Sequence, residues 1–290
     1  MNRFRILRVS FGLVAVLLMA GCANDEVTGG EYPLTFTADV STSMPVTRVS
    51  EDQYGESKWD GNETVKVKIG SESKDYTMDA SGNLTSTQPF YWNSTSETKQ
   101  VTAWYPATLT FNGQLKDQSS SNKYMACDVL KTDQTSIAYT STTKQLTFKH
   151  QMAKVIINLL QSDGTTTMTD ATSVEILCAS SFAYNEGQPS NINTSSYDYV
   201  SPFKQTNNSS YKALIIPKDM SGQKFIKVVY DGNTYCWTPK SGEGNLVVGS
   251  THTYKITVMS TYLDVETVQT GSSDINWGKQ EDSTESGTVN

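Results

Sequence analysis

Hydrophobic and polar residues alternate along much of this chain with a period of two, in short runs separated by turn residues. Leu34, Phe36, Ala38 and Val40 alternate with Thr35, Thr37 and Asp39, which predicts an amphipathic first strand with one face in a core. A loop is expected over Ser41 to Ser57. Val65, Val67 and Ile69 repeat the alternation, followed by a turn at Ser81-Gly82-Asn83, the run Phe90-Tyr91-Trp92, and Val101 to Tyr105 closed by Pro106. Residues 112–123 are polar and read as loop. A second block opens with Val155-Ile156-Ile157-Asn158-Leu159-Leu160, apolar enough to be a strand buried on both faces. Val174 to Cys178, Leu214 to Pro217 and Phe225 to Tyr230 continue it, and Asp231-Gly232-Asn233 reads as a hairpin turn into Thr234 to Trp237. Tyr254, Ile256 and Val258 alternate in one parity and Leu263 and Val265 in the other, so a bulge or break is expected near Met259 to Tyr262. No helical periodicity competes. The pattern predicts an all-β protein with a boundary near residue 145.

The first residues follow a different logic. Arg3, Arg5 and Arg8 precede an apolar run from Val9 to Ala20, shorter than the roughly twenty residues a membrane span needs. The run ends in Leu18-Met19-Ala20-Gly21-Cys22, which resembles a bacterial lipobox. Residues 1–21 then form a removable signal, Cys22 carries the lipid, and 22–32 form a polar tether. Several acyl chains on one residue satisfy the requirement for more than one hydrophobic anchor. The plainer alternative is an ordinary signal peptide with an incidental cysteine.

Removing that signal takes three arginines and no acid, moving the formal charge from −7 to −10. Such an acidic chain lacks the basic stripe of a nucleic-acid binder, and no nucleic-acid partner is expected. Two histidines and four scattered cysteines make zinc and triad hydrolases poor readings. No phosphate loop, nucleophile elbow or zincin motif occurs. His150 and His252 fall in or beside strands and read as structural. No catalytic residue, cofactor or metal is assigned. Besides Cys22, the cysteines Cys127, Cys178 and Cys236 allow at most one internal disulfide, and the sequence does not choose the pair. The most loop-like aromatic cluster is Tyr197, Tyr199 and Phe203, where a glycan or host ligand would be sought first.

One count changes the picture. The 269 residues from Cys22 onward hold nineteen lysines and a single arginine, Arg48. It falls in the expected loop after the first strand, where proteolytic nicking concentrates. Scarcity alone would explain a lone arginine. A functional reading is that an arginine-specific protease finds one site, the Arg48–Val49 bond, and cuts away the first strand with its lipid. Losing Leu34, Phe36 and Val40 from a core would remove about 5–8 kcal/mol of burial, comparable to a domain's whole stability. The exposed groove could accept an extended segment of another subunit. Candidate donors lie at the other end, at Leu263, Val265 and Val268 or in the tail beyond Trp277.

The lipobox, this first strand, Val46-Thr47-Arg48 and Lys58-Trp59-Asp60 are followed by Val101-Thr102-Ala103-Trp104-Tyr105-Pro106. Leu146-Thr147-Phe148-Lys149-His150-Gln151-Met152-Ala153-Lys154-Val155, Leu214-Ile215-Ile216-Pro217, Gly249-Ser250-Thr251-His252-Thr253-Tyr254 and Ile275-Asn276-Trp277-Gly278 complete an ordered series. The series resembles the fimbrillin family of Bacteroidales, whose members build type V pili. The resemblance implies two transthyretin-like Greek-key β-sandwich domains in tandem, here 33–145 and 146–290. It implies export to the outer membrane as a lipoprotein, cutting after Arg48 by an arginine-specific protease, and a final place in a fimbria. Identical or related pilus subunits are then the partners, joined when a C-terminal strand replaces the excised one. The competing class is a surface-anchored lipoprotein, or a pilus tip adhesin, that binds glycans or host proteins.

Overall fold

The computed structural model describes residues 32–40, 48–51, 57–59, 61–109, 113–139, 142–205 and 210–270. The signal, Cys22, most of the tether and the tail beyond residue 270 lie outside the described residues. The chain opens with β1 (Tyr32–Pro33), β2 (Phe36–Val40), β3 (Arg48–Glu51), β4 (Ser57–Lys58), β5 (Thr64–Ile69) and β6 (Glu72–Met78). Then come β7 (Asn83–Thr85), β8 (Tyr91–Trp92), β9 (Thr98–Tyr105) and a short helix α1 (Ser121–Met125). β10 (Leu130–Thr132), β11 (Thr135–Ala138) and β12 (Lys144–His150) finish the first body. Pairing runs β10-β12-β2-β7-β6-β5-β9, and β9 pairs back to β10, so the sheet closes on itself with β11 added beside β9. Closure leaves few strand edges to template unwanted pairing. Alternation does the filling: Val65, Val67, Tyr76, Met78, Val101, Ala103, Leu146 and Phe148 all turn inward and are buried.

The second body comprises β13 (Ala153–Leu160), β14 (Ser173–Ala179), β15 (Ala183–Asn185), β16 (Gln188–Ser190), β17 (Tyr197–Val200) and β18 (Phe203–Lys204). β19 (Tyr211–Ile215), β20 (Ile226–Tyr230), β21 (Asn233–Trp237), β22 (Thr251–Val258) and β23 (Leu263–Thr270) complete it. A five-stranded sheet, β18-β19-β13-β22-β23, and a four-stranded sheet, β17-β14-β20-β21, share one core built from Val155, Ile157, Ile176, Phe225, Val228 and Ile256. β13 is the middle strand, parallel to β22 and antiparallel to β19, which accounts for its nearly continuous apolar run. The expected turn at Asp231-Gly232 joins β20 to β21 with both residues at positive φ, the geometry of a tight two-residue hairpin. The break near Met259 to Tyr262 is a hairpin turn between β22 and β23, closed by the Met259 N–H on the Tyr262 carbonyl at 3.0 Å.

Two sequence expectations shift. The chain changes sheet between His150 and Ala153, so residue 145 lies inside β12, a strand of the first body. Only two residues separate β12 from β13, and two apolar strands so close merge in the sequence pattern. Residues 112–123, read as polar loop, include the start of α1, whose first turn is capped by the Ser120 hydroxyl. They also include two buried glutamines. The Gln118 amide accepts from the Leu214 N–H and donates to the Leu214 carbonyl, both at 2.9 Å. Gln114 accepts from the Ile216 N–H at 3.1 Å. Meanwhile the backbone of Lys116 and Gln118 bonds Ser201, just past β17. One segment thus supplies the hydrogen bonds that an added strand would give, sealing one seam of the second sandwich. Below it, Tyr124, Cys127, Val129, Met152, Leu214 and Ile216 form a third apolar cluster joining the two bodies. Cys127, Cys178 and Cys236 are all unpaired thiols, the first two buried.

His252, at the start of β22, is buried and its Nε2 accepts the Val247 N–H at 3.0 Å. Burial holds its pKa below the ordinary 6.5. The unfolded chain then binds the proton first, so stability is full above about pH 6.5 and falls as the pH drops toward the folded-state pKa. The urea midpoint is expected to decline from pH 7.5 to 5.5, and His252→Gln to flatten that decline. Parallel profiles for the two proteins would rule His252 out as its source.

Candidate assembly site

The first strand is an interior strand. β2 runs parallel to β12, with Phe36 opposite Lys144 and Val40 opposite Phe148, and antiparallel to β7, with Phe36 opposite Leu84. Its flanks are bonded on both sides: Leu34 N–H to the Phe90 carbonyl at 2.8 Å, Ala38 N–H to Gly82 at 2.8 Å, and Lys144 N–H to Thr35 at 2.9 Å. The Gln145 amide donates to Asp39 at 2.9 Å. Leu34, Phe36 and Ala38 are 3%, 1% and 5% exposed, so this face of the strand is core. Phe36 meets Tyr76 edge to face, 5.6 Å between centroids. The Tyr76 hydroxyl accepts the Phe90 N–H at 2.8 Å, and burial raises its pKa, keeping it neutral. At the strand's entry Tyr32 lies edge-on to Tyr139, itself edge-on to Trp92.

Arg48 is not in a loop. It begins β3, which pairs with β4 in a separate two-stranded ribbon. Arg48, Val49 and Ser50 all stand opposite Lys58, a bulged and irregular pairing that breaks the regular ladder. Just after β4, Trp59 is buried edge-on against Phe148 and Tyr105. Phe148 is also the register partner of Val40, so Val40 and Trp59 both lie beside it.

At the other end of the chain, β23 pairs with β22 alone, from Val258 opposite Leu263 to Thr251 opposite Thr270. Leu263 is buried and Val265 half-buried, while Asp264, Glu266 and Thr267 are exposed; Val268 stands opposite Thr253. The strand is thus an edge strand, and up to Thr267 it is anchored by Leu263 with Val265 beside it.

The aromatic cluster expected on a loop lies in strands. Tyr197 and Tyr199 belong to β17 and Phe203 to β18. Each ring already has a partner. Lys218 lies over Tyr197 at 4.4 Å, Lys227 over Tyr199 at 4.0 Å, and Phe203 stacks on Tyr124 at 6.1 Å. The Tyr199 hydroxyl donates to the Lys224 carbonyl. The strand periodicity here is masked in the sequence by the serine- and asparagine-rich turns around it. Sequence reasoning missed Tyr76 and Phe90, which fix the floor of the β2 site; the alternation of Tyr76 with Met78 was the available signal. His150 pairs through Nδ1 with Asp128 at 2.8 Å in the buried junction, a structural position. Among the described residues no cluster of side chains could hold a metal ion.

A fimbrillin-like family model matches residues 47–277. The chain belongs to that family, and is therefore a structural, non-enzymatic protein: a pilus-type adhesion subunit of the cell surface. Its fold is similar to a cell adhesion protein of Bacteroides uniformis, 17% identical with a TM-score of 0.59 over 82% of this chain and 98% of that one. It is equally similar to one from Bacteroides ovatus, 15% identical with a TM-score of 0.59 over 82% of this chain and 96% of that one. No curated protein matches the chain.

Proposed function

We propose that the protein is a pilus subunit exported as a lipoprotein through Cys22, cut between Arg48 and Val49, and joined to neighbours by strand replacement. The two cores are read as tandem transthyretin-like Greek-key domains. The observation that carries this is the placement of the first strand. It is an interior strand of the first body, and the lone arginine beyond the signal follows it in sequence and stands in an irregular ribbon. A cut there severs the covalent link between β2 and everything after it. Loss of Leu34 and Phe36 alone would remove about 3–6 kcal/mol of burial and leave both β12 and β7 with an open edge. The family match beginning at residue 47, next to the arginine, supports the same division. β23, with Leu263, Val265 and Val268, or the tail after it, is the segment offered to the next subunit. Of its residues up to Thr267 only Leu263 is buried, and as an edge strand it is released by parting from β22 alone.

The test is Arg48→Ala in the producing cell. Wild type is expected to yield a chain starting at Val49 and heat-sensitive multimers on denaturing gels. The variant is expected to remain a lipidated, folded monomer. Undiminished multimers in the variant would end this account.

A further inference from the structure

The strand-replacement reading leaves open whose strand enters, and the site of β2 is selective enough to answer. Three successive inward positions set its demands. The first holds Leu34, whose N–H is bonded to Phe90. The second holds Phe36, against the edge-on ring of Tyr76. The third holds Ala38, opposite Leu146. Tyr76 cannot swing in to fill the second position, because its hydroxyl is tied to the Phe90 N–H at 2.8 Å. An incoming strand must therefore carry a large aliphatic, an aromatic and a small residue at i, i+2 and i+4, entering parallel to β12.

The chain's own C-terminal segments fail this requirement in every frame. Leu263, Val265 and Thr267 place a valine where an aromatic ring is needed and leave a void beside Tyr76. The alternate frame of β23 brings Asp264 and Glu266 inward, burying carboxylates. Ile275 and Trp277 suit the first two positions, but Lys279 then falls at the site of Ala38, which is 5% exposed. An ammonium there would be desolvated against Leu146. We infer that this groove is built for a non-identical subunit, one whose donor segment carries the aliphatic–aromatic–small triplet, and that the protein does not polymerise with itself.

The experiment offers labelled peptides to the full-length protein cut with an arginine-specific protease, and to the uncut Phe36→Ala precursor, whose weakened strand can be displaced. Peptides copy residues 31–41, 261–271 and 273–283, and binding is read by anisotropy and co-elution. The 31–41 peptide is expected to bind in both settings. Its Phe36→Ala version should bind about a hundredfold more weakly or worse, and its Ala38→Lys version likewise. The two C-terminal peptides should not bind, and the cut protein alone should form no multimers. Comparable binding by either C-terminal peptide, or multimers from the cut protein alone, would overturn the inference. Selective binding to the precursor with no cut at Arg48 would instead defeat the processing step and uphold the groove's selectivity.

Discussion

Phe36→Ala is expected to cost the protein about 3–5 kcal/mol, a large share of the 5–15 kcal/mol that holds a typical domain together. The ring is 1% exposed and sits in an interior strand with bonded neighbours on both sides. Its edge-to-face contact with Tyr76 adds to the burial. How much a cavity costs depends on how far its walls can collapse. Here the main wall is pinned by the Tyr76–Phe90 bond, so relaxation is small and the upper half of that range applies. Urea unfolding checks it, with Thr37→Ala as control; that side chain faces away from the core and should move stability by no more than about 0.5 kcal/mol. A Phe36→Ala loss below about 1 kcal/mol would mean that β2 is not part of the first core.

Phe36 also shows how much of the fold could be read from the chain. Where one face of a strand is buried and the other wet, the period-two pattern is unambiguous, and β2, β5 and β22 follow from it, while β13, buried on nearly every side chain, is legible from its continuous apolar run. The tight turn at Asp231-Gly232 was legible because its residue types are those that accept positive φ. The failures have a common physical origin. Arg48 reads as loop because Ser, Thr and Pro precede it, yet β3 pairs so irregularly with β4 that it leaves no period-two signal to read. Tyr197, Tyr199 and Phe203 read as loop because of the turn residues around β17 and β18. Gln114 and Gln118 gave no signal at all. Their amides imitate backbone groups toward β19, a role set by tertiary position and not by local pattern. The assembly site divides along the same line: its inward residues are alternation, while its floor joins Tyr76 of β6 to Phe90, just before β8, through a hydrogen bond that no local pattern announces.

Gly187→Ala is expected to be the most damaging change outside the two cores. The β15–β16 hairpin turns through Glu186 and Gly187, at φ of 46° and 78°, with Asn185 opposite Gln188. Although part of the second body, this turn lies on the first. A Cβ on Gly187 would stand 2.1 Å from Cβ of the buried Trp104 and 3.2 Å from the Leu130 carbonyl oxygen. Around it Glu186 pairs with Lys68, Gln188 accepts from Lys131 at 3.3 Å, and the Tyr184 hydroxyl donates to the Pro106 carbonyl at 2.6 Å. An added methyl must lift the hairpin and loosen all of these together. Backbone strain of roughly 1 kcal/mol and 1–3 kcal/mol of overpacking give an expected loss of about 2–4 kcal/mol. Gly232→Ala separates the two causes. Its φ of 72° is equally left-handed, but nothing lies within 4 Å of the new Cβ, so it should lose only the strain. Limited proteolysis should cut the β15–β16 hairpin faster in Gly187→Ala than in Gly232→Ala at matched stability. Equal urea midpoints for the two variants would mean that the hairpin does not bear on Trp104. The expected difference would show that the hairpin packs on Trp104 and helps hold the two bodies together.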